Sequence, residues 1–84
     1  MSYQIKFTKV ALKDLQKLPS KLKQKLKIIL LEQVVIDPYS GKKLIGDLSG
    51  FFSLRLSYKD RIVYSVDEKK KIIYIHKTKT HYGE

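Results

Sequence analysis

From Thr8 to Ile36 the apolar residues fall at helical spacing, and one proline, Pro19, interrupts the run. Proline lacks the amide that a helix interior needs and clashes with the preceding turn, so this stretch folds as two helices rather than one. Ala11, Leu12, Leu15 and Leu18 are the apolar positions of the first, and Thr8 is placed to cap it. Leu22, Leu26, Ile29, Leu30 and Val34 form the inward stripe of the second, with Ser20 as its expected N-cap and Asp37-Pro38 as its stop. Lys21, Lys23, Lys25 and Lys27 spread around its first two turns and read as a solvated face, an RNA-facing patch being the alternative. Two helices joined by so tight a turn make a hairpin with one apolar side, which is covered by lying on a sheet.

The rest of the chain supplies that sheet. Ser2 to Thr8 alternates, with Tyr3, Ile5 and Phe7 on one side. After a loop from Asp37 to Gly50, rich in Pro, Gly and Ser and carrying Lys42-Lys43, a strand from Phe51 to Ser57 leads through the turn Tyr58-Lys59-Asp60 into a strand from Arg61 to Val66. Phe52, Leu54 and Leu56 share one face of the first of these strands, while Ser53, Arg55 and Ser57 share the other. A polar turn through Lys71 then opens the last strand, Ile72 to roughly Lys79. If that strand is regular, Ile73, Ile75, Lys77, Lys79 and His81 have one parity, and His76, on the other, reads as structural. The expectation is an α+β fold over residues 1–84 as one domain, ordered β-α-α-β-β-β, its helical hairpin packed on a largely antiparallel four-stranded sheet.

Charge narrows the function. Eighteen basic residues against eight acidic give a net charge of +10, and of the eighteen only Arg55 and Arg61 are arginine. A guanidinium is a planar, permanently charged fork matched to phosphate, whereas lysine is a movable point charge. The two arginines flank one turn, so the hairpin reads as phosphate-facing, the bland alternative being two solvated arginines at a sheet rim. The excess of cations points to a polyanionic partner. No apolar run approaches the ~20 residues of a membrane span, and the amino terminus does not resemble a signal peptide, so a cytoplasmic protein without a membrane partner is expected. With no cysteine and two isolated histidines, neither a metal site nor a cofactor is expected.

Three segments carry a family resemblance: Leu48-Ser49-Gly50-Phe51-Phe52-Ser53 with Arg55, then Arg61-Ile62-Val63-Tyr64, then Thr80-His81-Tyr82. In this order and at these separations they resemble the RelE/ParE superfamily of bacterial and archaeal toxins, and within it the YoeB-like ribonucleases. The resemblance spans essentially the whole chain. It implies a compact RelE-like α+β fold, an antitoxin encoded beside the toxin, which the +10 charge makes an acidic one, and, in the nuclease branch, cleavage of messenger RNA in the ribosomal A site.

Metal-independent RNA cleavage needs an activated 2′-hydroxyl, stabilisation of charge on a pentavalent phosphorus, and a proton for the departing 5′-oxygen. Arg55 and Arg61 are the candidate charge stabilisers. His81 is the candidate proton donor, since histidine is the side chain that titrates near neutrality; the resemblance assigns the acid role to His81 and an aromatic contact with base or phosphate to Tyr82. Lys42, Lys43, Lys59, Lys77 and Lys79 are the candidate substrate-binding residues. The YoeB-like glutamate that serves as general base is replaced by Lys42 or Lys43, and Lys79 stands where arginine is common. The base is then a lysine (Lys42, Lys43, Lys77 or Lys79), His81 acting twice with a water, or ribosomal RNA orienting the 2′-hydroxyl. A ParE-like toxin that poisons DNA gyrase without hydrolysing anything is the competing function, and a basic nucleic-acid-binding module without catalysis is a third.

Overall fold

The computed structural model describes residues 3–80, with side chains to residue 78. Strand β1 (Gln4–Phe7) leads into helix α1 (Lys9–Lys17) and helix α2 (Ser20–Ile29), whose last turn widens to π geometry over Leu30–Val34. A 3-10 turn at Pro38–Ser40 precedes β2 (Lys42–Lys43), and another at Gly46–Leu48 precedes β3 (Phe52–Arg55). Strands β4 (Asp60–Asp67) and β5 (Ile72–Thr80) follow.

The sheet order is β1-β5-β4-β3-β2, with β1 parallel to β5 and every other pair antiparallel. Five strands therefore replace the expected four. The addition is β2, a two-residue piece of the Asp37 to Gly50 loop in which Lys42 pairs with Ser53 and Lys43 with Phe52. Two residues are too few to show an alternation, and what seats them is a distant side chain. Tyr64, fully buried on β4, donates its hydroxyl to the Pro38 carbonyl at 2.7 Å and accepts from the Gly41 amide at 3.1 Å. Gly41 has to be glycine, since a Cβ there would lie 2.6 Å from that hydroxyl oxygen.

Leu26, Leu30 and Val34 of the second helical segment bury against Phe52, Ile62, Tyr64, Ile73 and Ile75 of the sheet, with Leu56 and Ala11 completing the core. Burial of each large apolar side chain contributes roughly 1.5–3 kcal/mol. Lys21, Lys23, Lys25 and Lys27 are exposed, in line with a solvated face. Leu12, expected in the apolar stripe of α1, is 47% exposed; one helix of nine residues rests on the sheet through Ala11 and Leu15, and Leu12 falls beside that line. The expected Ser20 cap is displaced by one residue. Pro19 is the capping residue, its carbonyl accepting from the amides of both Leu22 and Lys23 at 3.0 Å, while Ser20 already lies in the helix.

Thr8 caps α1 as expected, its Oγ1 accepting from the Ala11 amide at 3.1 Å. It also has a longer-range role. Strand β1 runs out at Phe7, opposite Ile75, and beyond that point α1 satisfies the open edge of β5. The Thr8 amide donates to the Ile75 carbonyl at 3.0 Å, its hydroxyl donates to the His76 carbonyl at 3.1 Å, and the Asp14 carboxylate accepts from the Thr78 amide at 3.2 Å. Unpaired buried backbone groups are costly, so these bonds hold the last third of β5 against the helix.

Strand β5 is not regular. Tyr64 pairs with Ile75 but Val63 pairs with Lys77, which leaves His76 as an extra residue in a bulge. The expected common parity of Ile73, Ile75, Lys77 and Lys79 is thereby broken. Regular continuation would turn Lys77 toward the core, where an unpaired ammonium is prohibitively costly; the extra residue sends it to the opposite face and puts buried Thr78 opposite Ile62 instead.

Candidate functional site

The sheet face turned away from the helices carries the cations. Across β3, β4 and β5 one row of the ladder reads Arg55, Arg61, Lys79, and the next, from β2 to β5, reads Lys42, Ser53, Val63, Lys77. Arg55 and Lys42 are exposed, and Arg61 and Lys77 are half-buried. Lys79 is placed here by register alone. Lys43 falls out of the group, because it pairs with Phe52, whose side chain is in the core. His81 and Tyr82 lie outside the described residues.

The turn joining the two arginine strands is tightly determined. The amides of Leu56 and Ser57 both donate to the Asp60 carbonyl, at 2.8 and 3.1 Å. Ser57 donates its hydroxyl to the Asp60 carboxylate at 2.7 Å and accepts from the amides of Asp60 and Lys59 at 3.1 and 3.3 Å. Serine and aspartate at these positions close a turn through their own backbone contacts. Lys59 is exposed on it, which adds a cation at the end of the hairpin.

Among the described residues, the one ion pair joins Lys71 to Glu68, at the far end of β4 and β5. Arg55, Arg61, Lys42 and Lys77 thus share a face with no carboxylate paired to them among the described residues. Such an arrangement can attract a polyanion, and the guanidinium groups are the side chains in it whose geometry suits phosphate. No cluster of three or more His, Asp or Glu able to hold a metal ion occurs among the described residues.

His76 borders this face without joining the cationic rows. Its ring centroid is 4.7 Å from that of Phe51, and Nε2 lies 2.7 Å from the Ser65 hydroxyl oxygen. Burial, and secondarily the neighbouring Lys77 ammonium, push its pKa below the usual histidine value. The bulge that aims Lys77 and the hydroxyl of Tyr64 that seats Lys42 are the supporting features that residue-type reasoning misses. An isolated Tyr in R-I-V-Y carries no sign of a partner 26 positions upstream.

The sequence matches the family profile of ParE-like toxins of type II bacterial toxin-antitoxin systems over residues 5–83. No curated protein matches it significantly. Among solved structures, it is similar to the RelBE2 toxin-antitoxin complex of Mycobacterium tuberculosis, with 27% identity, 96% of this chain and 100% of that chain covered, and a TM-score of 0.85. The YoeB dimer of Staphylococcus aureus is 31% identical over 95% of this chain and 98% of that one, with a TM-score of 0.77. The archaeal RelE-RelB complex of Pyrococcus horikoshii is 31% identical with both chains fully covered (100% each) and a TM-score of 0.71.

Proposed function

The chain belongs to the ParE-like toxins of type II bacterial toxin-antitoxin systems, and we propose that it is a ribosome-dependent endoribonuclease, cutting messenger RNA in the A site and so blocking translation. The observation that carries this reading is the residue-to-residue alignment of Arg55 with Arg61, and of Arg61 with Lys79, on the sheet face opposite the helices. In the proposed reaction the 2′-hydroxyl oxygen attacks the adjacent phosphorus, the P–O5′ bond breaks, and the 5′-oxygen takes a proton. Arg55 and Arg61 stabilise the negative charge that accumulates on the phosphoryl oxygens, each worth ~10² to 10³ in rate. His81 supplies the proton and Tyr82 stacks or orients, both by resemblance. Lys42, Lys59, Lys77 and Lys79 draw in the backbone, and Lys42, Lys77 and Lys79 are the lysines available as base.

A cognate antitoxin is part of the same proposal. The relatives named above include toxins solved with their antitoxins. In this chain an apolar groove of about 480 Å³, lined by Ile5, Phe7, Leu15, Leu26, Leu30 and Leu31 and rimmed by Lys23 and Lys27, suits an acidic, amphipathic partner segment.

Brief induction in bacteria followed by primer extension on translated messages tests the nuclease. Cuts inside reading frames that require translation and disappear in Arg61→Ala and His81→Ala are the expected result. The family profile itself, being ParE-like, favours the second reading, poisoning of DNA gyrase. Toxicity without message cuts, surviving truncation after Lys79, would select it.

A further inference from the structure

Tyr58 sits at the tip of the arginine hairpin with 90% of its surface exposed, and its hydroxyl has no partner among the described residues. The other tyrosines of the described region are engaged: Tyr3 and Tyr39 donate to Glu68, Tyr64 is buried on Pro38, and the Tyr74 ring lies 6.4 Å from that of His76. An aromatic ring left in water forgoes burial that its neighbours obtain. The turn that carries it is nevertheless held by the Ser57–Asp60 bonds on either side of it, so docking a ligand there need not order the backbone. Directly below the turn is the Arg55–Arg61 pair, the first rung of the ladder.

An exposed aromatic on the turn that joins a pair of phosphate-seeking forks matches the way single-stranded nucleic acid is held, with cations on the backbone and rings stacked on unpaired bases. We propose that Tyr58 is a stacking platform for an unpaired RNA base adjoining the phosphate taken by Arg55 and Arg61. The proposal rests on the RNA-cleaving reading and adds a binding residue to it. Because every base has a π-face, Tyr58 contributes affinity without choosing a sequence. The ring does the work and the hydroxyl is dispensable.

The test uses bacterial ribosomes programmed with a message made uncleavable by 2′-O-methyl groups in the A-site codon, and a second message whose A-site nucleotides are abasic, with phosphates kept and bases removed. Affinity is read by anisotropy of amino-terminally labelled protein. The wild type binds the abasic complex more weakly. Tyr58→Ala weakens binding to the intact codon by roughly 5- to 150-fold, the stacking range per base, and shows no comparable loss on the abasic message, whereas Tyr58→Phe behaves as wild type on both. Equal losses on both messages, or no loss in Tyr58→Ala, would overturn the stacking assignment while leaving the nuclease reading intact. If Tyr58→Ala keeps its RNA affinity but escapes the antitoxin, the ring is a protein contact and the proposal is wrong. Failure of the wild type to bind programmed ribosomes at all would instead refute the ribosome-dependent reading, and this inference with it.

Discussion

Arg55 and Arg61 stand directly opposite one another across the β3–β4 ladder. Like charges so paired destabilise a hairpin by roughly 0.2–1 kcal/mol, and no carboxylate among the described residues is ion-paired to either. The pairing therefore works against local stability. Arg55→Thr, which removes one charge and introduces a good strand former, is expected to raise the urea midpoint by an amount equivalent to ~0.2–1 kcal/mol while lowering message cleavage by ~10² to 10³. A midpoint that falls along with activity would show Arg55 to be a packing residue instead.

The approach of Tyr64 to Gly41 predicts a coupled pair. Gly41→Ala places a methyl 2.6 Å from the Tyr64 hydroxyl and 3.1 Å from the Ser53 carbonyl oxygen, at a cost of about 1–3 kcal/mol. Tyr64→Phe leaves the Pro38 carbonyl and Gly41 amide without that partner, also about 1–3 kcal/mol. The double variant is expected to cost less than the sum, because removing the hydroxyl makes room for the methyl. In both single variants hydrogen exchange at β2 accelerates. Strict additivity in denaturant titrations would mean that the two residues do not share one contact.

Glu68 fastens three segments. It accepts from the hydroxyls of Tyr3 at 2.9 Å and Tyr39 at 2.6 Å and is paired with Lys71, whose ammonium also lies 5.1 Å from the centre of the Tyr3 ring. The Lys71 ammonium, then the Tyr39 and Tyr3 hydroxyls, lower its pKa from 4.5 to about 2. The unfolded chain takes up this proton first as pH falls, so the contribution is complete above pH 4.5 and is lost between there and about 2. At the other extreme Tyr39, bonded to Glu68 and partly desolvated, is raised from 10.0 to about 12, so stability is lost as pH climbs through that interval. Glu68→Gln is expected to flatten both limbs of stability against pH. Since the cluster is exposed to solvent, the effect at either end is small; identical pH profiles for the two proteins would show the cluster to be energetically silent.

His76 titrates in a different window. Its folded-state pKa lies below the ordinary 6.5, because of burial first and the Lys77 ammonium second. On acidification the unfolded chain binds this proton before the folded one, so stability is full above pH 6.5 and declines below it. NMR titration of the His76 ring is expected to show a midpoint below 6.5, and His76→Gln to reduce the loss of stability between pH 6.5 and 5. A midpoint above 6.5 would indicate that the Ser65 contact favours the imidazolium.

The helices were legible because each side chain declares its own role: Thr8 can bond the Ala11 amide whatever surrounds it, and Leu26, Leu30 and Val34 recur at the helical period. The alternation of β3 was legible for the same reason, with Phe52 in the core and Arg55 exposed. The candidate site was readable in residue type and less so in placement. Arg55 and Arg61 meet as the turn implied, Lys43 leaves the group, and Lys77 joins it by a route the parity of a regular strand does not allow. The comparisons bear out the toxin family and the fold.

By itself the sequence determined the order of every element except β2, the two-helix hairpin split at Pro19, the faces of the regular segments and the concentration of both arginines at one turn. All of these follow from local preferences and fixed periodicities, which act over a few residues. Tertiary structure alone decided the rest: that residues 42–43 become a fifth strand, that His76 is expelled into a bulge, and that Lys42 and Lys77 reach the face of Arg55 and Arg61. Each of those outcomes depends on groups far apart in the chain, namely the Tyr64 hydroxyl reaching Pro38 and Gly41, and Thr8 and Asp14 holding the edge of β5. Buried hydrogen-bonding groups and charges must find partners or water wherever the fold puts them, and where it puts them is a property of the assembled sheet.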